Sequence, residues 1–444
     1  MHYPRVLILT INRINKTDNS SNGLLVRNLF NNFPQKNLAQ IYSGGSNGDA
    51  GFFGSYYKIE QIDRRLGRFF FKFKNITQVE TKNTSNNNKS NKKPTYKQLT
   101  HFLGEHLLMK TGLYELVFRP RLSREMIEWI DNFHPDILFT QGYNLSFTIL
   151  PLIISKRIKV PIAYYPADDW PDYCYLPEEG HGNLITLFVR SRVKKLSNDL
   201  VRKASVHIAF NNPMKNEYLW RYGIAFNLLM QGDDFTRFEA ISSTKTNDQS
   251  EYIIVSTGDF SHPRLSLLED LNKACEILNA EGLNVRAKIF PANNLEYIIS
   301  QLNHCQFLQF ESCPTHEGMV PVLLSADILF LPERFGTNPE RVRLSVSSKA
   351  HLFMFSGKAI IVYSHPLTGI LRYAKEEGWA SIVEKRSPEN LAITLRMLLT
   401  DSVKRQQLID RAHLIATKNH LLPQIQDNFC KLLQAGIQDN FISK

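Results

Sequence analysis

Short apolar runs alternate with amphipathic helical stretches along most of this chain, and this alternation limits its fold more than any other feature. Such alternation is typical of βαβ units, in which parallel strands form a sheet that helices cover on both faces. The runs form two series, so the sequence predicts an α/β protein with two parallel sheets. The predicted strands are 6–11, 38–42, 137–141, 162–166, 206–211 and 228–231 in the first series, and 252–257, 285–290, 307–310, 328–331, 360–363 and 382–384 in the second.

The breaks in this pattern predict the domain organisation. The 444 residues suffice for two or three domains of about 150 residues each. We expect a first Rossmann-like domain over 1–235, a polar linker over 236–250, a second Rossmann-like domain over 251–415 and a helical tail over 416–444 that packs back on the first domain. An insertion at 51–112 interrupts the first domain, and its middle part, 82–93, contains only Asn, Ser, Thr and Lys, which predicts a mobile surface loop.

The net charge favours an anionic partner. Lys and Arg number 53 against 42 Asp and Glu, which gives a formal charge of +11. A nucleoside diphosphate, an acidic membrane face and a nucleic acid would all suit this charge. The sequence has no motif of an RNA- or DNA-binding module, so we expect no nucleic-acid partner.

One segment of the insertion mixes basic and aromatic residues at high density. Over 64–74, five Arg and Lys residues are interleaved with four Phe residues. This mixture suits an anionic membrane surface, where the rings reach the acyl boundary while the cations meet the headgroups. The alternative is that these Phe residues anchor the insertion on its own domain.

The number of cysteines and the hydropathy of the chain indicate in which cellular compartment we expect the protein. Five cysteines are an odd number without a Cys-x-x-Cys pair, which makes a disulfide framework or a zinc site improbable. The apolar run 6–11 is too short for a signal sequence, and no uncharged apolar run reaches 18 residues. We expect a cytoplasmic protein, with peripheral attachment to the inner face of the membrane as an open alternative.

Doubly wound sheets bind ligands at the carboxyl ends of their strands, so the loops there are the first candidates for a site. After the first strand, Ser20, Ser21, Asn22 and Gly23 stand at a predicted helix N-terminus, where free N–H groups favour an anion or sugar hydroxyls. Helix capping alone explains these residues nearly as well. Neither a Gly-x-Gly-x-x-Gly fingerprint after a strand nor a P-loop occurs, which argues against hydride transfer and NTPase chemistry.

An acidic and aromatic loop follows the predicted strand 162–166. It reads ADDWPDY, so Asp168 and Asp169 lie beside Trp170 and Tyr173, a combination that commonly holds sugars. Either carboxylate is a candidate to accept a hydrogen bond from an acceptor hydroxyl or to act as its base. The alternative is that one Asp caps the turn and the others are solvated. We expect no metal site here, because the two Asp residues are adjacent and do not form an Asp-x-Asp motif.

The second series carries the densest signal. Arg264 stands at the first turn of the helix after strand 252–257, where it can meet a diphosphate. A loop with Glu333 and Glu340 follows strand 328–331. The next residues predict that cations, hydroxyls and a helix N-terminus converge on one anion: Arg341, Arg343, Ser345, Ser347, Ser348 and Lys349. A solvated basic turn with an ordinary serine N-cap is the alternative.

With these segments the chain resembles the GT-B glycosyltransferases, in particular the retaining, metal-independent family 4, or group 1, enzymes that make glycolipids and bacterial surface polysaccharides. The resemblance rests on TGDFSHPR (257–264), LSADILFLP (324–332) and SSKAHLFMFSGKAIIVYS (347–364). It implies two Rossmann-like domains facing each other across a cleft that closes before transfer. The first domain would bind a glycan or lipid-linked acceptor and the second a nucleoside diphosphate sugar, with neither cofactor nor metal.

The resemblance also assigns roles. It implies that Lys349 and Arg264, with Ser347 and Ser348, bind the donor diphosphate, that Gly258 and Glu340 contact the donor nucleotide or sugar, and that Glu333 contacts the reacting sugar. Two positions depart from the family: Asp259 follows Gly258 where Arg is common, and Leu352 stands where a second Glu is expected. These departures motivate one alternative, a non-catalytic subunit. A nucleotide-sugar epimerase of the same architecture is another.

Overall fold

The computed structural model describes residues 3–16, 20–45, 51–65, 108, 110–177, 182–239, 251–261, 264–292, 294–315, 318–336 and 338–442. Within these ranges the chain forms two parallel β-sheets, each flanked by helices. The predicted surface loop at 82–93, most of the basic and aromatic segment 64–74 and most of the linker 236–250 lie outside the described residues.

The first sheet has the strand order β3-β2-β1-β4-β5-β6-β7, and all its described pairings are parallel. Its strands are β1 Val6–Leu9, β2 Leu38–Tyr42, β3 Ser55–Lys58, β4 Ile137–Thr140, β5 Ile162–Tyr164, β6 Val206–Ala209 and β7 Asn227–Leu228. Its central strands are fully buried and, except for Thr140 at the end of β4, apolar, because helices cover both faces.

The second sheet has the order β10-β9-β8-β11-β12-β13 and is also parallel in every described pairing. Its strands are β8 Tyr252–Gly258, β9 Val285–Pro291, β10 Leu308–Phe310, β11 Ile328–Pro332, β12 Ala359–Tyr363 and β13 Ser381–Val383. The α/β class and the two-sheet architecture predicted from the sequence are therefore confirmed.

Helices fill the connections between the strands. In the first half they are α1 Ser21–Phe30, α2 Leu113–Val117, α3 Arg124–Phe133, α4 Leu145–Ile158, α5 Trp170–Tyr173, α6 Leu184–Lys203, α7 Asn212–Tyr222 and α8 Thr236–Glu239. In the second half they are α9 Leu265–Ala280, α10 Leu295–Leu302, α11 Met319–Leu324, α12 Ala350–Phe355, α13 Gly369–Glu377, α14 Pro388–Thr400, α15 Ser402–His420 and α16 Leu422–Ile442. Short 3₁₀ helices occur at Gln35–Asn37, Gln61–Asp63 and Pro339–Val342.

The last helix returns to the first half of the molecule. Phe429 of α16 is fully buried against Phe30 of α1 and Phe139 of β4, with ring centroids 5.1 and 5.8 Å apart. The Gln426 amide also donates a hydrogen bond of 2.6 Å to the backbone oxygen of Asn28. The predicted packing of the tail on the first domain is thus confirmed, and it ties both ends of the chain to one sheet.

Two details of the first sheet differ from the prediction. Strand β3 was not predicted, because Ser-Tyr-Tyr-Lys at the edge of the sheet is half-exposed and lacks a continuous apolar run. The last strand is Asn227–Leu228 and not 228–231: the N–H of Leu229 still bonds the backbone oxygen of Ala209 in β6, and Gln231 already lines the cavity described below.

Candidate functional site

A cavity of about 930 Å³ lies between the carboxyl ends of the two sheets. Its wall combines residues that follow β5 in the first half with residues that follow β8 and β11 in the second. Parallel sheets concentrate their connecting loops at this edge, which explains why both halves contribute. The volume suits a ligand of nucleotide size, since small-molecule sites occupy about 300–1,000 Å³.

Most of the candidate residues meet in this cavity. Those that line it are Ser20, Ser21, Asn22, Asp168, Gly258, Arg264, Glu333, Ser345, Ser347, Ser348 and Lys349. Gly23 and Asp169 do not line it, and the Glu340 side chain lies outside the described part of the structure. Leu352, at the position where the resemblance implies a second Glu, forms an apolar part of the wall.

Lys349 is held against the end of β8. Its ammonium donates a hydrogen bond of 2.8 Å to the backbone oxygen of Thr257 and lies 6.0 Å from the centre of the Phe260 ring. Burial lowers the pKa of Lys349 to about 8, and the neighbouring Arg264 cation acts in the same direction. The side chain therefore brings a desolvated positive charge to the cavity.

Gly258 makes room for that charge. A Cβ built at position 258 would overlap the Lys349 ammonium and lie 3.0 Å from its Cδ and Cε atoms. The backbone at Gly258 also has a φ of +121°, which L-residues rarely adopt. The backbone thus favours glycine here, and any larger residue would displace the lysine ammonium from its present position.

Arg264 forms an ion pair with Glu333. Its Nε donates 3.0 Å to Glu333 Oε1, its Nη2 bonds the same oxygen, and its Nη1 lies 3.3 Å from the backbone oxygen of Asp259. Glu333 directly follows β11 and is 7% exposed. The pair places a second cation and a carboxylate beside Lys349. The side chain of Asp259 accepts a hydrogen bond of 2.8 Å from the backbone of Ser261.

The two halves meet directly at the serine residues. Ser21 Oγ at the start of α1 lies 3.2 Å from Ser348 Oγ, which precedes α12. Ser20 is the N-cap of α1, and its hydroxyl accepts a bond of 3.0 Å from the N–H of Gly23. The capping alternative therefore describes Ser20 and Gly23. The buried amide oxygen of Asn22 has no hydrogen-bond partner within the described residues.

Asp168 faces the cavity from the first half. Its Oδ2 accepts a bond of 2.7 Å from the Tyr173 hydroxyl, and its Oδ1 accepts one of 3.0 Å from the N–H of Trp170. Burial raises the pKa of Asp168 to about 6. A half-buried carboxylate with a pKa near neutrality is suited to proton transfer.

Asp169 points into a different environment. Its two oxygens accept bonds of 2.8 Å each from Arg221, and the Tyr218 hydroxyl donates a further bond of 3.0 Å. Its side chain is about 5% exposed, and Arg343 approaches to 3.5 Å. The two adjacent carboxylates are thus separated: one lines the cavity and the other belongs to a buried ion cluster.

The expectation that Arg341 and Arg343 converge on the same anion as Lys349 does not hold. Arg341 donates bonds of 2.6 and 2.8 Å to the backbone oxygens of Leu176 and Pro177. Arg343 donates one of 2.9 Å to Glu217. Both arginines come from the second half of the chain but bind the first, because the loop that carries them crosses the cleft.

Sequence reasoning missed several polar groups on the cavity wall, among them His351 and Asp233. His351, two residues after Lys349, lies 3.5 Å from a carboxylate oxygen of Asp233, and both residues line the cavity. Asp233 lies in the polar stretch that leads into the predicted linker 236–250, so it is not among the predicted site residues. The one signal in the sequence that could have indicated a place for His351 on the cavity wall is its position two residues after Lys349.

No group of three or more His, Cys, Asp or Glu side chains within the described ranges is arranged to hold a metal ion. None of the described helices is both long and apolar enough to cross a membrane. All five cysteines are free thiols.

Comparison with protein-family models and with curated protein sequences gives no match. Solved structures, in contrast, match over almost the whole chain. The Anabaena protein HepE in complex with UDP-glucose has a TM-score of 0.58 at 13% identity and covers 98% of this chain and 100% of its own. A sucrose-phosphate synthase from Thermosynechococcus elongatus has a TM-score of 0.59 at 10% identity, with coverages of 97% and 98%.

The glycosyltransferase WaaG of lipopolysaccharide biosynthesis is also similar, with a TM-score of 0.54 at 12% identity and coverages of 96% and 99%. Each match spans both sheets, so the arrangement of the two halves and not only the single sheet is shared. The chain therefore has the GT-B fold, with two Rossmann-like halves facing each other across a cleft and a helical C-terminal segment.

Proposed function

We propose that this protein is a glycosyltransferase that moves a sugar from a nucleoside diphosphate sugar to a hydroxyl of a glycan or lipid-linked acceptor, in the synthesis of surface polysaccharide or another glycoconjugate. One observation carries the proposal: two cations of the second half, Lys349 and Arg264, share a cavity of nucleotide size with the raised-pKa carboxylate of Asp168 from the first half. The fold supports it, since similar structures contain UDP or UDP-glucose.

The cations are proposed to stabilise the leaving diphosphate. Negative charge builds on this group as the glycosidic bond breaks, and a preorganised cation in a desolvated site stabilises it strongly. Lys349 and Arg264 would supply the charge, with the hydroxyls of Ser347 and Ser348 as further donors. In other glycosyltransferases a metal ion stabilises this charge. Because Lys349 and Arg264 would do so here, we propose that the reaction needs neither metal nor cofactor.

Glu333 and Asp168 are proposed to act on the two sugars. Glu333, fixed by Arg264 at the end of β11, would contact the donor sugar, while Gly258 and Glu340 would border the nucleotide. Asp168 would accept the proton of the acceptor hydroxyl. We assign Asp169 a supporting role, because its oxygens are bonded to Arg221 and Tyr218. Retention of the anomeric configuration is proposed from the sequence resemblance alone.

The first experiment is calorimetric titration of the protein with UDP, GDP, ADP and CMP, each in EDTA and in Mg²⁺. We expect selective binding of one nucleotide, unchanged by EDTA and lost in Lys349→Ala. Lys375→Ala is the matched control, because Lys375 is exposed and pairs with Glu384 away from the cavity. Absence of binding to every nucleotide would contradict the proposal and favour a non-catalytic subunit.

A second assay separates transfer from epimerisation. The protein is incubated with the matching nucleotide sugar and a glycan or lipid-linked acceptor, and the products are followed by proton NMR. Transfer releases the nucleoside diphosphate only when the acceptor is present, and the coupling constant of the new anomeric proton reports retention or inversion. Conversion of the nucleotide sugar without an acceptor would favour an epimerase.

We further propose that the protein works as a peripheral protein at the cytoplasmic face of an anionic membrane. Helix α6 supports this proposal, because its first turns expose apolar side chains: Leu184 is 85% exposed and Phe188 51%. The same helix carries six basic residues and only one acidic residue, and the Arg192 guanidinium lies 5.1 Å from the Phe188 ring. Apolar residues beside cations suit the interface of an anionic bilayer.

Vesicle sedimentation tests this surface. We expect the protein to sediment with vesicles that contain phosphatidylglycerol, less in high salt, and not with pure phosphatidylcholine. The double variant Leu187→Ser and Phe188→Ser should lose this binding. The control variant, Ile393→Ser with Leu414→Ser, changes two apolar residues of α14 and α15 that are at least as exposed as Leu187 and Phe188, and it should keep this binding. Equal sedimentation of both variants would contradict the assignment to α6. Charge reversal within 64–74 tests that segment separately.

A further inference from the structure

A short segment of the second half, residues 341–344, is bonded to the first half at several points. Arg341 bonds the backbone oxygens of Leu176 and Pro177 at 2.6 and 2.8 Å, and the backbone oxygen of Leu344 accepts a bond of 2.7 Å from the Asn211 amide. Arg343 bonds Glu217 at 2.9 Å. We call these four residues the interdomain strap.

Arg343 completes a charge cluster in the first half. Glu217 and Asp169 supply two carboxylates, and Arg221 bonds both of them at 2.8 Å. Arg343 lies 2.9 Å from Glu217 and 3.5 Å from Asp169, so it balances the second negative charge. The hydrogen bond from Arg343 is the main cause that lowers the pKa of Glu217 to about 2. Removing Arg343 would leave the two partly buried carboxylates to share a single cation, Arg221.

The strap also reaches the partners of Asp168. The Arg341 guanidinium lies 5.7 Å from the centre of the Tyr173 ring, and the Tyr173 hydroxyl donates the 2.7 Å bond to Asp168. Arg343 binds Asp169, the next residue in the chain. Arg341 therefore contacts Tyr173, which bonds Asp168, and Arg343 contacts Asp169, which is adjacent to Asp168 in the chain.

At its other end the strap continues directly into the cation site. Residues 345–348 connect Leu344 to Lys349. Polar side chains on the cavity wall come from Ser345, Ser347, Ser348 and Lys349. Gly369 backs the strap, since a Cβ at that position would collide with the backbone oxygen of Ser345 and lie 3.1 Å from that of Arg343. The strap is therefore packed on its own domain while it binds the other.

We propose that Arg341 and Arg343 are positioning residues, which hold the Asp168 carboxylate at a fixed distance from the Lys349 ammonium by joining the two halves across the cleft. The inference rests on the proposed function, because it assigns these arginines to the transfer step. They act through Tyr173 and Asp169 and do not contact the substrates. When the two halves come together, the contacts of Arg341 and Arg343 form, and the same contacts fix Asp168 on the acceptor side of the site.

The test compares Arg343→Ala and Arg341→Ala with the wild type in two measurements. Lys349 and Arg264 belong to the second half alone, so nucleotide affinity by calorimetry should change less than about twofold. The kcat for transfer at saturating acceptor should fall about 10²-fold, the effect of misplacing a reacting group by about 1 Å. Arg343→Lys keeps the charge and should recover part of kcat. Small-angle X-ray scattering should show a larger radius of gyration for Arg343→Ala.

Arg386→Ala is the matched control. Arg386 forms a comparable pair with the buried Asp270, at 2.7 Å, but within the second half. This variant should lose stability and keep both kcat and the radius of gyration. A wild-type kcat in Arg343→Ala, or a loss of nucleotide affinity as large as the loss of kcat, would overturn the positioning role. If the wild type neither binds a nucleotide nor transfers a sugar, the proposed function fails, whereas a change in scattering would still identify the strap as a latch without a catalytic role.

Discussion

The contact between Gly258 and Lys349 shows how a single missing side chain shapes the site. The lysine ammonium occupies the space that a Cβ at position 258 would take, next to the backbone oxygen that it bonds. A substitution at the glycine is thus an indirect change to the lysine. Adding one methyl group at position 258 should therefore affect the lysine charge.

Gly258→Ala should reduce transfer by about 10²–10³-fold, the factor also expected for Lys349→Ala, because the methyl group displaces the charge that stabilises the leaving group. The double variant should be no worse than either single variant. Gly282→Ala is the control for backbone strain: its φ is +90°, and a Cβ there has no neighbour within 4 Å. Both alanine variants should lose about 1–2 kcal/mol of stability. Full transfer activity in Gly258→Ala would contradict the prediction.

Asp168 predicts a pH dependence. Its pKa in the folded protein, about 6, is above the ordinary 3.8, and activity that needs the carboxylate should therefore rise with pH through about 6. The folded state binds this proton more tightly than the unfolded state, so the contribution to stability is largest below pH 3.8 and declines as the pH rises to about 6. Asp168→Asn should abolish transfer and be at least as stable as the wild type at pH 7.5.

Thermal denaturation at pH 4 and pH 7.5 measures the stability part of this prediction. The gain in melting temperature of Asp168→Asn should appear at pH 7.5 and shrink at pH 4, where the native carboxyl is protonated. A variant less stable than the wild type at pH 7.5 would show that the bonds from Tyr173 and Trp170 outweigh burial of the charge.

At the scale of the element, helix α16 stabilises the fold mainly through one buried aromatic residue, Phe429. Phe429 is fully buried and meets Phe30, Phe33 and Phe139 in edge or tilted ring contacts. These partners come from α1, the loop after it and β4, so the helix closes the back of the first sheet. Helix α16 does not line the cavity, but it packs against α1, and Ser21 at the start of α1 contacts Ser348 on the cavity wall.

Phe429→Ala should lower the free energy of unfolding by about 3–5 kcal/mol, because it removes a buried ring and leaves a cavity. Leu414→Ala on the preceding helix is the control, since that side chain is 56% exposed and should change stability by less than about 0.5 kcal/mol. Urea denaturation followed by circular dichroism measures both. Equal midpoints for the two variants would show that α16 is not packed as described.

At the scale of the whole molecule, one apolar cluster extends through both halves. It includes the strands of the first sheet, then Leu344 and Val346 around the strap, and continues through α12 to β12. Chains with separate domains often unfold in steps. Here the shared cluster, the strap and the returning helix α16 favour joint unfolding.

Differential scanning calorimetry should therefore show one cooperative transition for the full chain. The nucleotide that binds best should move the whole transition upward, by a stabilisation of about 2.7 kcal/mol at a concentration of 100 times its Kd. Two transitions, of which only one responds to nucleotide, would mean that the halves are energetically independent. The Lys349→Ala variant should keep the single transition and lose the shift.

Local sequence patterns were sufficient to predict the secondary structure and the order of the strands along the chain, because apolar periodicity and capping residues act over a few neighbouring positions. Twelve predicted strands occur at or next to the predicted places, and the edge strand Ser55–Lys58 was missed because its residues are half-exposed. The sequence also placed Lys349, Arg264 and Glu333 after strand ends, and parallel sheets bring all strand ends to one edge.

The contacts between particular side chains, in contrast, depend on the tertiary structure. Asp168 and Asp169 are indistinguishable in sequence, but the backbone turns one toward the cavity and the other toward Arg221, a residue 52 positions away. Arg343 and Lys349 are six positions apart, yet the first binds the opposite half and the second stays in its own. Such partners depend on how two sheets are placed against each other, and no local pattern encodes a distance between residues that are remote in sequence.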